Sequence, residues 1–285
     1  MSRILVTGAQ GMLGTDLCEV VRAQGREVIP ADVAEFDLTD PAATLAFVRE
    51  CAPTVIINCA AYTAVDQAET DAATAFRVNR DGARNLAEAA ARVSAALLHL
   101  STDYIFDGGK EGPYLEDDPP NPRSVYGASK LAGELAVRET LPVHWIVRTA
   151  WLYGIHGKSF PRTILNLAQQ GEPLRVVHDQ VGCPTYTVHL AQALARIVEQ
   201  PHYSTYHAVN SGACTWYDLA RAVLAEAGIA VDVQPVPTSA FPRPAPRPAN
   251  SVLDTTKLAR VYGITLPGWE EGVRGFVAAW RREAQ

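Results

Sequence analysis

The sequence predicts an α/β fold: a doubly wound parallel sheet followed by a smaller C-terminal region. Short β-rich runs alternate with alanine-rich helical runs through the N-terminal half. The β-rich runs are continuously apolar, which is typical of parallel strands covered by helices on both faces. Right-handed crossovers between such strands make a doubly wound sheet the default topology.

Each element of this half is placed by the same alternation. The predicted strands are Arg3–Thr7, Glu27–Pro30, Thr54–Asn58, Ala95–Leu100 and Val143–Arg148. The predicted helices are Met12–Gln24, which stops at Gly25, then Pro41–Cys51, Ala72–Arg92, and a helix that carries Tyr126 and Lys130 and continues through Leu131–Arg138.

The βα alternation loosens after Trp151. We therefore expect a first domain over residues 1–154 and a second region over residues 155–285, with crossings of the chain between them. The proline-rich segment 235–248 cannot be an interior helix or a central strand. We expect it to run over a surface as an extended segment.

Composition excludes several functional classes. With 48% hydrophobic and 20% charged residues, the chain of 285 residues is typical of a globular protein. The net charge of −6 argues against nucleic acid as the main partner. We expect no membrane span and no signal peptide. Five cysteines without a C-x-x-C pair indicate reduced thiols in a cytoplasmic protein, and the seven histidines show no metal-ligand spacing.

A glycine-rich turn joins the first strand to the first helix. Gly8, Gly11 and Gly14 are the residues that allow a tight turn, a close approach of backbone to a pyrophosphate, and close packing of helix on strand. Asp32 stands at the end of the second strand, where an acid that binds a ribose belongs. The alternative is an ordinary βα turn. In this context we predict a dinucleotide site, and the fold is then Rossmann-like.

Tyr126 and Lys130 are four residues apart, so a helix places them on one face. A nearby ammonium lowers the pKa of a phenol and makes it usable in proton transfer. The spacing alone also occurs by chance in surface helices.

Several motifs in the same order resemble the extended short-chain dehydrogenase/reductase family. They are G-x-x-G-x-x-G at 8–14, Asp37-Leu38, N-C-A-A-Y-T at 58–63, V-N-R-D-G-A-R-N-L at 78–86, S-T-D at 101–103, and Tyr126-x-x-x-Lys130. The resemblance implies NADPH or NADH as cofactor. It implies that Tyr126, Lys130 and Thr102 are catalytic, with Tyr126 giving a proton to a carbonyl oxygen. The residues it implies for cofactor binding are Gly8, Gly11, Met12, Leu13, Gly14, Asp32, Asp37, Leu38, Ala61, Tyr62, Thr63, Thr102, Asp103, Tyr126 and Lys130.

Later motifs narrow the resemblance to the dTDP-4-dehydrorhamnose reductases of that family. They are S-T-D-Y-I-F-D-G at 101–108, Y-G-A-S-K-L-A-G-E at 126–134, R-T-A-W at 148–151, D-Q-V-G-C-P-T at 179–185, and R-P-A-N-S at 247–251. The implied reaction reduces the C4 keto group of dTDP-4-dehydro-6-deoxy-L-mannose to give dTDP-L-rhamnose. The implied substrate contacts are Thr102, Asp103, Tyr126, Trp151 and Arg247, with an aromatic face of Trp151 open for stacking. Val252 stands where the family commonly has an arginine, so Arg247 or Lys158 must then serve the diphosphate, or the sugar differs.

Other interpretations remain open at this point. Trp151 is equally a core aromatic, Asp103 a turn cap, Asp179-Gln180 a polar turn, and Arg247 a solvated charge. Asp32 favours a free ribose 2′-hydroxyl, but the choice between NADPH and NADH is left open. One alternative function is a non-catalytic subunit resembling the regulatory subunit of methionine adenosyltransferase. Another is an epimerase or dehydratase, although Tyr104 stands where dehydratases have an acid. A homodimer is a further possibility.

Overall fold

Strands and helices alternate through the first half of the computed structural model, which describes residues 3–171 and 173–283. The strands are β1 (Arg3–Thr7), β2 (Glu27–Ala31), β3 (Val55–Asn58), β4 (Ala96–Thr102), β5 (His144–Thr149), β6 (Leu152–Tyr153), β7 (Leu174–Val177), β8 (Val181–Gly182), β9 (Thr185–Tyr186), β10 (Thr205–His207), β11 (Cys214–Thr215) and β12 (Val233–Val236). The helices are α1 (Met12–Ala23), α2 (Pro41–Cys51), α3 (Val65–Ala68), α4 (Ala72–Phe76), α5 (Gly82–Val93), α6 (Val125–Thr140), α7 (Phe160–Ala168), α8 (Thr187–Ile197), α9 (Trp216–Ala227), α10 (Thr256–Tyr262) and α11 (Trp269–Glu283).

Six of the strands form one parallel sheet in the order β10-β5-β4-β3-β1-β2. From β1 the chain adds β2 on one side, and it then adds β3, β4 and β5 on the other side. Such a switch in strand order opens a crevice at the carboxyl ends of the strands. Alternate side chains enter two apolar clusters: Ile4 packs with α1 and α8 on one face, and Leu5 packs with α2, α5 and α6 on the other. The predicted doubly wound parallel sheet is confirmed.

The C-terminal half adds small pieces around the crevice. Three two-stranded ladders, β11-β8, β12-β7 and β6-β9, lie outside the main sheet. Strand β10 joins the main sheet beside β5, and α8 packs on α1, so this half returns to the first. The division at residues 154 and 155 stays a prediction. Pro235 lies in β12 of a two-stranded ladder, a position that tolerates proline.

The helix predicted over Ala72–Arg92 is present, but it is not α-helical throughout. The structure has α4, then one π-helical turn at Arg77–Asp81, then α5. A π-helical turn holds one residue more than an α-helical turn. In this turn Asn79 faces the interior and is 2% exposed. Helix α6 fits against this turn because Gly133 has no side chain: a Cβ there would lie 2.2 Å from the Asn79 carbonyl oxygen. The remaining predicted helices and strands of this half end within a few residues of the observed bounds.

A buried ion pair joins α6 to β5. The Arg148 guanidinium donates to both oxygens of Glu134, at 2.9 and 2.8 Å, and to the Glu116 carbonyl oxygen at 3.0 Å. The carboxylate is fully buried, and the guanidinium nearly so. Arg148 of the R-T-A-W motif is therefore a structural residue that fixes the helix carrying Tyr126 against the sheet.

Glu134→Gln is expected to lower the free energy of unfolding by about 3 kcal/mol, because it leaves a buried guanidinium without its counter-charge. Urea unfolding followed by circular dichroism measures this loss. Glu139→Gln, an exposed change on the same helix, is the control and should alter stability by less than about 0.5 kcal/mol. Equal stability of the two variants would contradict the role given to the pair.

Candidate active site

A cavity of about 980 Å³ opens at the carboxyl edge of the main sheet. Its lining draws on the glycine turn, the ends of β2, β3, β4 and β5, and the start of α6. The predicted site residues that line it are Gly8, Gly11, Met12, Leu13, Gly14, Asp32, Leu38, Ala61, Thr63, Thr102, Asp103, Tyr126, Lys130 and Trp151. Most of the predicted cofactor and catalytic residues are therefore brought to one place.

The glycine turn depends on the absence of side chains at two positions. Gly8 has φ of +67°, and a Cβ there would lie 2.7 Å from the backbone nitrogen of Ala60. At Gly14 a Cβ would lie 2.1 Å from the Gly8 carbonyl oxygen. Helix α1 therefore starts directly behind β1, with its free N–H groups at the cavity. Such a helix start is a site for phosphate.

Asp32 follows β2 and helps to hold the turn. Its carboxylate accepts from the backbone N–H of Gln10 at 3.0 Å and of Val33 at 2.9 Å. The Glu35 carboxylate accepts from the Asp32 backbone N–H at 2.7 Å. The Asp32 carboxylate thus lies where the sequence places the ribose, which favours hydroxyl groups over a phosphate there.

Two asparagines of the V-N-R-D-G-A-R-N-L motif support the cofactor side of the cavity. Asn79 accepts from the Tyr62 N–H at 2.8 Å and donates to the Tyr62 carbonyl oxygen at 3.1 Å, which fixes the segment 61–63. Asn85 donates to the Leu38 carbonyl oxygen at 3.0 Å. Gly82 leaves room for Leu38, since a Cβ there would lie 1.6 Å from the leucine Cδ1. The motif therefore shapes the wall of the cavity.

Thr102, Tyr126 and Lys130 meet where β4 ends and α6 begins. Ser124 caps α6 by accepting from the Gly127 N–H at 3.1 Å. Gly127 allows the helix to approach β4 closely, because a Cβ there would lie 2.2 Å from the Tyr104 carbonyl oxygen. The approach places the three side chains at one cavity wall.

The electrostatics of Tyr126 differ from the expected lowering by Lys130. Burial raises the pKa of Tyr126 to about 12, and hydrogen bonding with Thr102 only partly offsets it. The Lys130 ammonium donates to the Leu100 carbonyl oxygen at 2.6 Å, and burial lowers the pKa of Lys130 to about 8. Tyr126 is therefore a neutral phenol at physiological pH. That is the protonation state of a proton donor.

Asp103 is an unusual carboxyl group beside Tyr126. It is 2% exposed, and the Thr102 hydroxyl donates to its Oδ1 at 3.0 Å. Burial raises the pKa of Asp103 to about 6, although the hydroxyls of Ser251 and Thr102 oppose the shift. Thr102, rather than Asp103, caps the 3-10 turn at Asp103–Ile105 by accepting from the Tyr104 N–H. The local structure therefore does not need a carboxylate at 103.

Asp103→Asn is expected to stabilise the protein at pH 7.5 more than at pH 4.5. A raised folded pKa means that the folded state binds a proton more readily, so ionising Asp103 costs stability as pH rises from about 4 to 6. The full cost is at most about 3 kcal/mol. Urea unfolding of wild type and variant at both pH values measures it, with Asp117→Asn at an exposed position as control. A stability difference independent of pH would contradict this.

Three predicted contacts lie elsewhere. The Asp37 carboxylate accepts from the Thr39 backbone and hydroxyl, both at 2.8 Å, and does not line the cavity. Tyr62 takes part through its backbone and is likewise absent from the lining. Arg247, expected at the diphosphate, instead makes two hydrogen bonds to Asp66, at 2.7 and 2.9 Å. This pair ties the proline-rich segment to α3, so Arg247 is neither solvated nor, in this structure, a cavity residue.

Trp151 lines the cavity, and Trp216 covers one of the two faces of its ring, which leaves at most the other face for the expected stacking. One face is stacked on Trp216 with ring centroids 3.5 Å apart and planes 4° apart. Cavity residues that were not assigned a role from sequence include Tyr104, His156, Gly157 and Trp216, while Lys158 was raised as a cation for the diphosphate. The Thr215-x-x-Asp218 pattern predicts a helix start beside Trp216, as the observed capping box shows, but no sequence signal predicts the stack.

The expectation of no metal stays a prediction. Among the described residues, the ligand atoms of Asp16, Glu19 and His156 lie within 4.8 Å of one another. Over the same residues, we find no helix with the length and apolar character that crossing a membrane requires.

A nucleotide-sized crevice at the switch of a parallel sheet, with a tyrosine, a lysine and a threonine at its inner wall, defines a nicotinamide-dependent short-chain dehydrogenase/reductase fold and site. The residues fit the cofactor, because the glycine turn is a cradle that a Cβ would fill. The model of the RmlD substrate binding domain matches residues 1–282, and the chain belongs to this family.

Known relatives agree closely in length. A dTDP-4-dehydrorhamnose reductase of Aggregatibacter actinomycetemcomitans is 40% identical over 291 residues, covering 98% of this chain and 99% of the relative. The crystal structure of dTDP-4-dehydrorhamnose reductase from Bacillus anthracis in complex with NADP has a TM-score of 0.95 at 39% identity, covering 98% of this chain and 99% of that one. A probable dTDP-4,6-dihydroxy-2-methyloxan-3-one 4-ketoreductase of Streptomyces antibioticus is 42% identical, covering 95% and 93%. The resemblance predicted from sequence is confirmed.

Proposed function

We propose that the protein reduces the C4 keto group of dTDP-4-dehydrorhamnose with NADPH or NADH to give dTDP-L-rhamnose. The observation that carries the proposal is the presence of Thr102, Tyr126 and Lys130 in one cavity with the glycine turn. A relative at 40% identity over nearly the whole chain is named for this reaction, and another was solved with NADP.

We assign the side-chain roles from the family resemblance, and the shared cavity supports the assignment. When bound, the nicotinamide supplies the hydride that reduces the C4 carbonyl. Tyr126 donates its phenolic proton to the carbonyl oxygen. The Thr102 hydroxyl, which donates to Asp103 Oδ1 in this structure, turns to donate a hydrogen bond to the same carbonyl oxygen. Lys130 would hold the ribose hydroxyls beside the nicotinamide. The neutral Tyr126, with its pKa raised to about 12, supports the donor role.

Lys158 is our candidate for binding the substrate diphosphate. Lys158 lines the cavity, whereas the Arg247 guanidinium is paired with Asp66. Val252 is partly buried against an apolar cluster and offers no charge. A lysine binds phosphate as a point charge, so it can replace an arginine at this task.

The alternatives from sequence lose support. A non-catalytic subunit has no use for a threonine, tyrosine and lysine held together at the cavity wall, and the relatives carry the names of reductases. The Streptomyces relative extends the choice to another dTDP-linked keto-sugar, so the reaction type is better supported than the sugar.

A cytoplasmic location fits the five free cysteines of the chain. A homodimer remains a proposal.

Oxidation of NADPH and NADH, followed by absorbance with dTDP-6-deoxy-L-lyxo-4-hexulose as substrate, tests the proposal. We expect turnover and a product identical to dTDP-L-rhamnose by NMR. The dTDP-linked 4-keto sugar for which the Streptomyces antibioticus relative is named is tested in parallel. The comparison of the two rates decides between the two sugars. Nicotinamide binding without turnover of either sugar would overturn the proposed function in favour of a regulatory subunit.

A further inference from the structure

Trp151 is held in a backbone conformation that a large side chain rarely adopts. Its φ is +47°, in the left-handed region, immediately before β6. Such a conformation persists only when the surrounding structure determines it, and it is found preferentially at functional sites. The Trp151 indole lies in the cavity with Tyr126 and Lys130.

Two neighbours fix the Trp151 ring. Trp216 stacks on it at a centroid distance of 3.5 Å. Gly182 also touches it, since a Cβ at Gly182 would lie 2.4 Å from the indole Cε2. Gly182 pairs with Cys214 in the β8-β11 ladder, two residues before Trp216. The ladder therefore sets the positions of both neighbours.

Trp216 is itself anchored by polar contacts. Its indole N–H donates to the Gln180 side-chain oxygen at 3.1 Å, and the Gln180 amide donates to the Thr238 hydroxyl at 2.9 Å. The Thr238 backbone N–H donates to the Asp179 carboxylate at 2.9 Å, and the Thr238 hydroxyl donates to the same carboxylate at 2.6 Å. The D-Q-V-G segment at 179–182 thus supports the stacked pair.

We propose that Trp216 is a positioning residue for substrate recognition: it holds the Trp151 indole so that the stacked pair forms a rigid apolar wall of the sugar site. The proposal rests on the proposed function. An apolar wall suits the methyl group of a 6-deoxy sugar. A hydroxyl at that carbon would lose its hydrogen bonds against such a wall, and the methyl group has none to lose. Fixing the wall before binding avoids the cost of ordering a large side chain when substrate arrives.

Kinetics of Trp216→Leu and Trp216→Phe test the proposal. We expect Trp216→Leu to raise KM for the dTDP-sugar roughly 10-fold, because the wall must then be ordered on binding. Its kcat and its KM for the nicotinamide should stay within about 3-fold of wild type. Trp216→Phe keeps an aromatic face and should restore most of the KM. Trp280→Leu is the control, at a partly buried tryptophan of helix α11 that packs against the same apolar cluster as Trp151 and Trp216 but does not line the cavity.

Near-ultraviolet circular dichroism gives a second reading that does not depend on activity. Stacked indoles couple optically, so Trp151→Phe and Trp216→Phe should remove the same band, whereas Trp280→Phe should retain it. An unchanged sugar KM in folded Trp216→Leu, or a band that survives either single change, would overturn the proposal. If wild type binds nicotinamide but never reduces the sugar, the proposed function fails first and the recognition role falls with it. The dichroism then still reports the stack.

Discussion

Tyr126→Phe is expected to lower kcat roughly 10²–10⁴-fold, because the variant cannot give a proton to the carbonyl oxygen. The change removes one oxygen atom at the wall where Thr102 and Lys130 also lie. The glycine turn, which is the cradle for the cofactor phosphates, is left intact. Steady-state kinetics with the keto-sugar should therefore show a loss in kcat, with the Kd for NADPH changed by less than about 3-fold.

Tyr203→Phe is the control for this change, since Tyr203 is partly exposed and does not line the cavity. It should keep the wild-type kcat. The pH profile gives a further check. With its pKa raised to about 12, Tyr126 stays protonated through pH 10, so its ionisation should not limit reduction below that pH. A Tyr126→Phe variant with wild-type kcat would remove Tyr126 from the mechanism.

Gly14→Ala is expected to lower kcat/KM for the nicotinamide roughly 10²-fold. The added Cβ would lie 2.1 Å from the Gly8 carbonyl oxygen and 2.8 Å from Ala9 Cα, so helix α1 must move away from the turn. A displacement near 1 Å in the positioning of a reactant is enough for a loss of about this size. The same overpacking should lower stability by about 1–3 kcal/mol.

Fluorescence titration with NADPH and urea unfolding measure the two effects separately. Gly109→Ala is the matched control, because its nearest contact would be the Asp107 side chain at 3.5 Å. That variant should bind NADPH like wild type. If Gly14→Ala also binds NADPH with wild-type affinity, the cradle does not hold the cofactor in the way we describe.

Local patterns account for what could be predicted from the sequence. Glycines at 8, 11 and 14 act through backbone geometry within one turn, and Tyr126 and Lys130 act through the spacing of one helix. The apolar strands follow from burial on both faces. The Asp37–Thr39 contact is also local, and a D-x-T pattern typical of such turns was available to predict it.

Contacts between distant segments account for what was missed. Arg247 and Asp66 each resemble a solvated charge in sequence, and only the fold pairs them. Trp151 and Trp216 meet because the β6-β9 ladder fixes the segment after Trp151 and the β8-β11 ladder fixes the segment before Trp216. The π turn at Arg77–Asp81 adds a single residue inside an otherwise helical pattern, a change too small for apolar periodicity to reveal.

Isotope tracing tests the central claim most directly. Wild type is incubated with the keto-sugar and NADPH, or NADH, deuterated at the transferable position of nicotinamide C4, and the product is examined by NMR. We predict one deuterium at C4 of the 6-deoxyhexose, with oxidised cofactor formed in equal amount. A product without deuterium at C4, or a cofactor that returns to its reduced form as in an epimerase, would contradict the assignment of this site as a C4 ketoreductase.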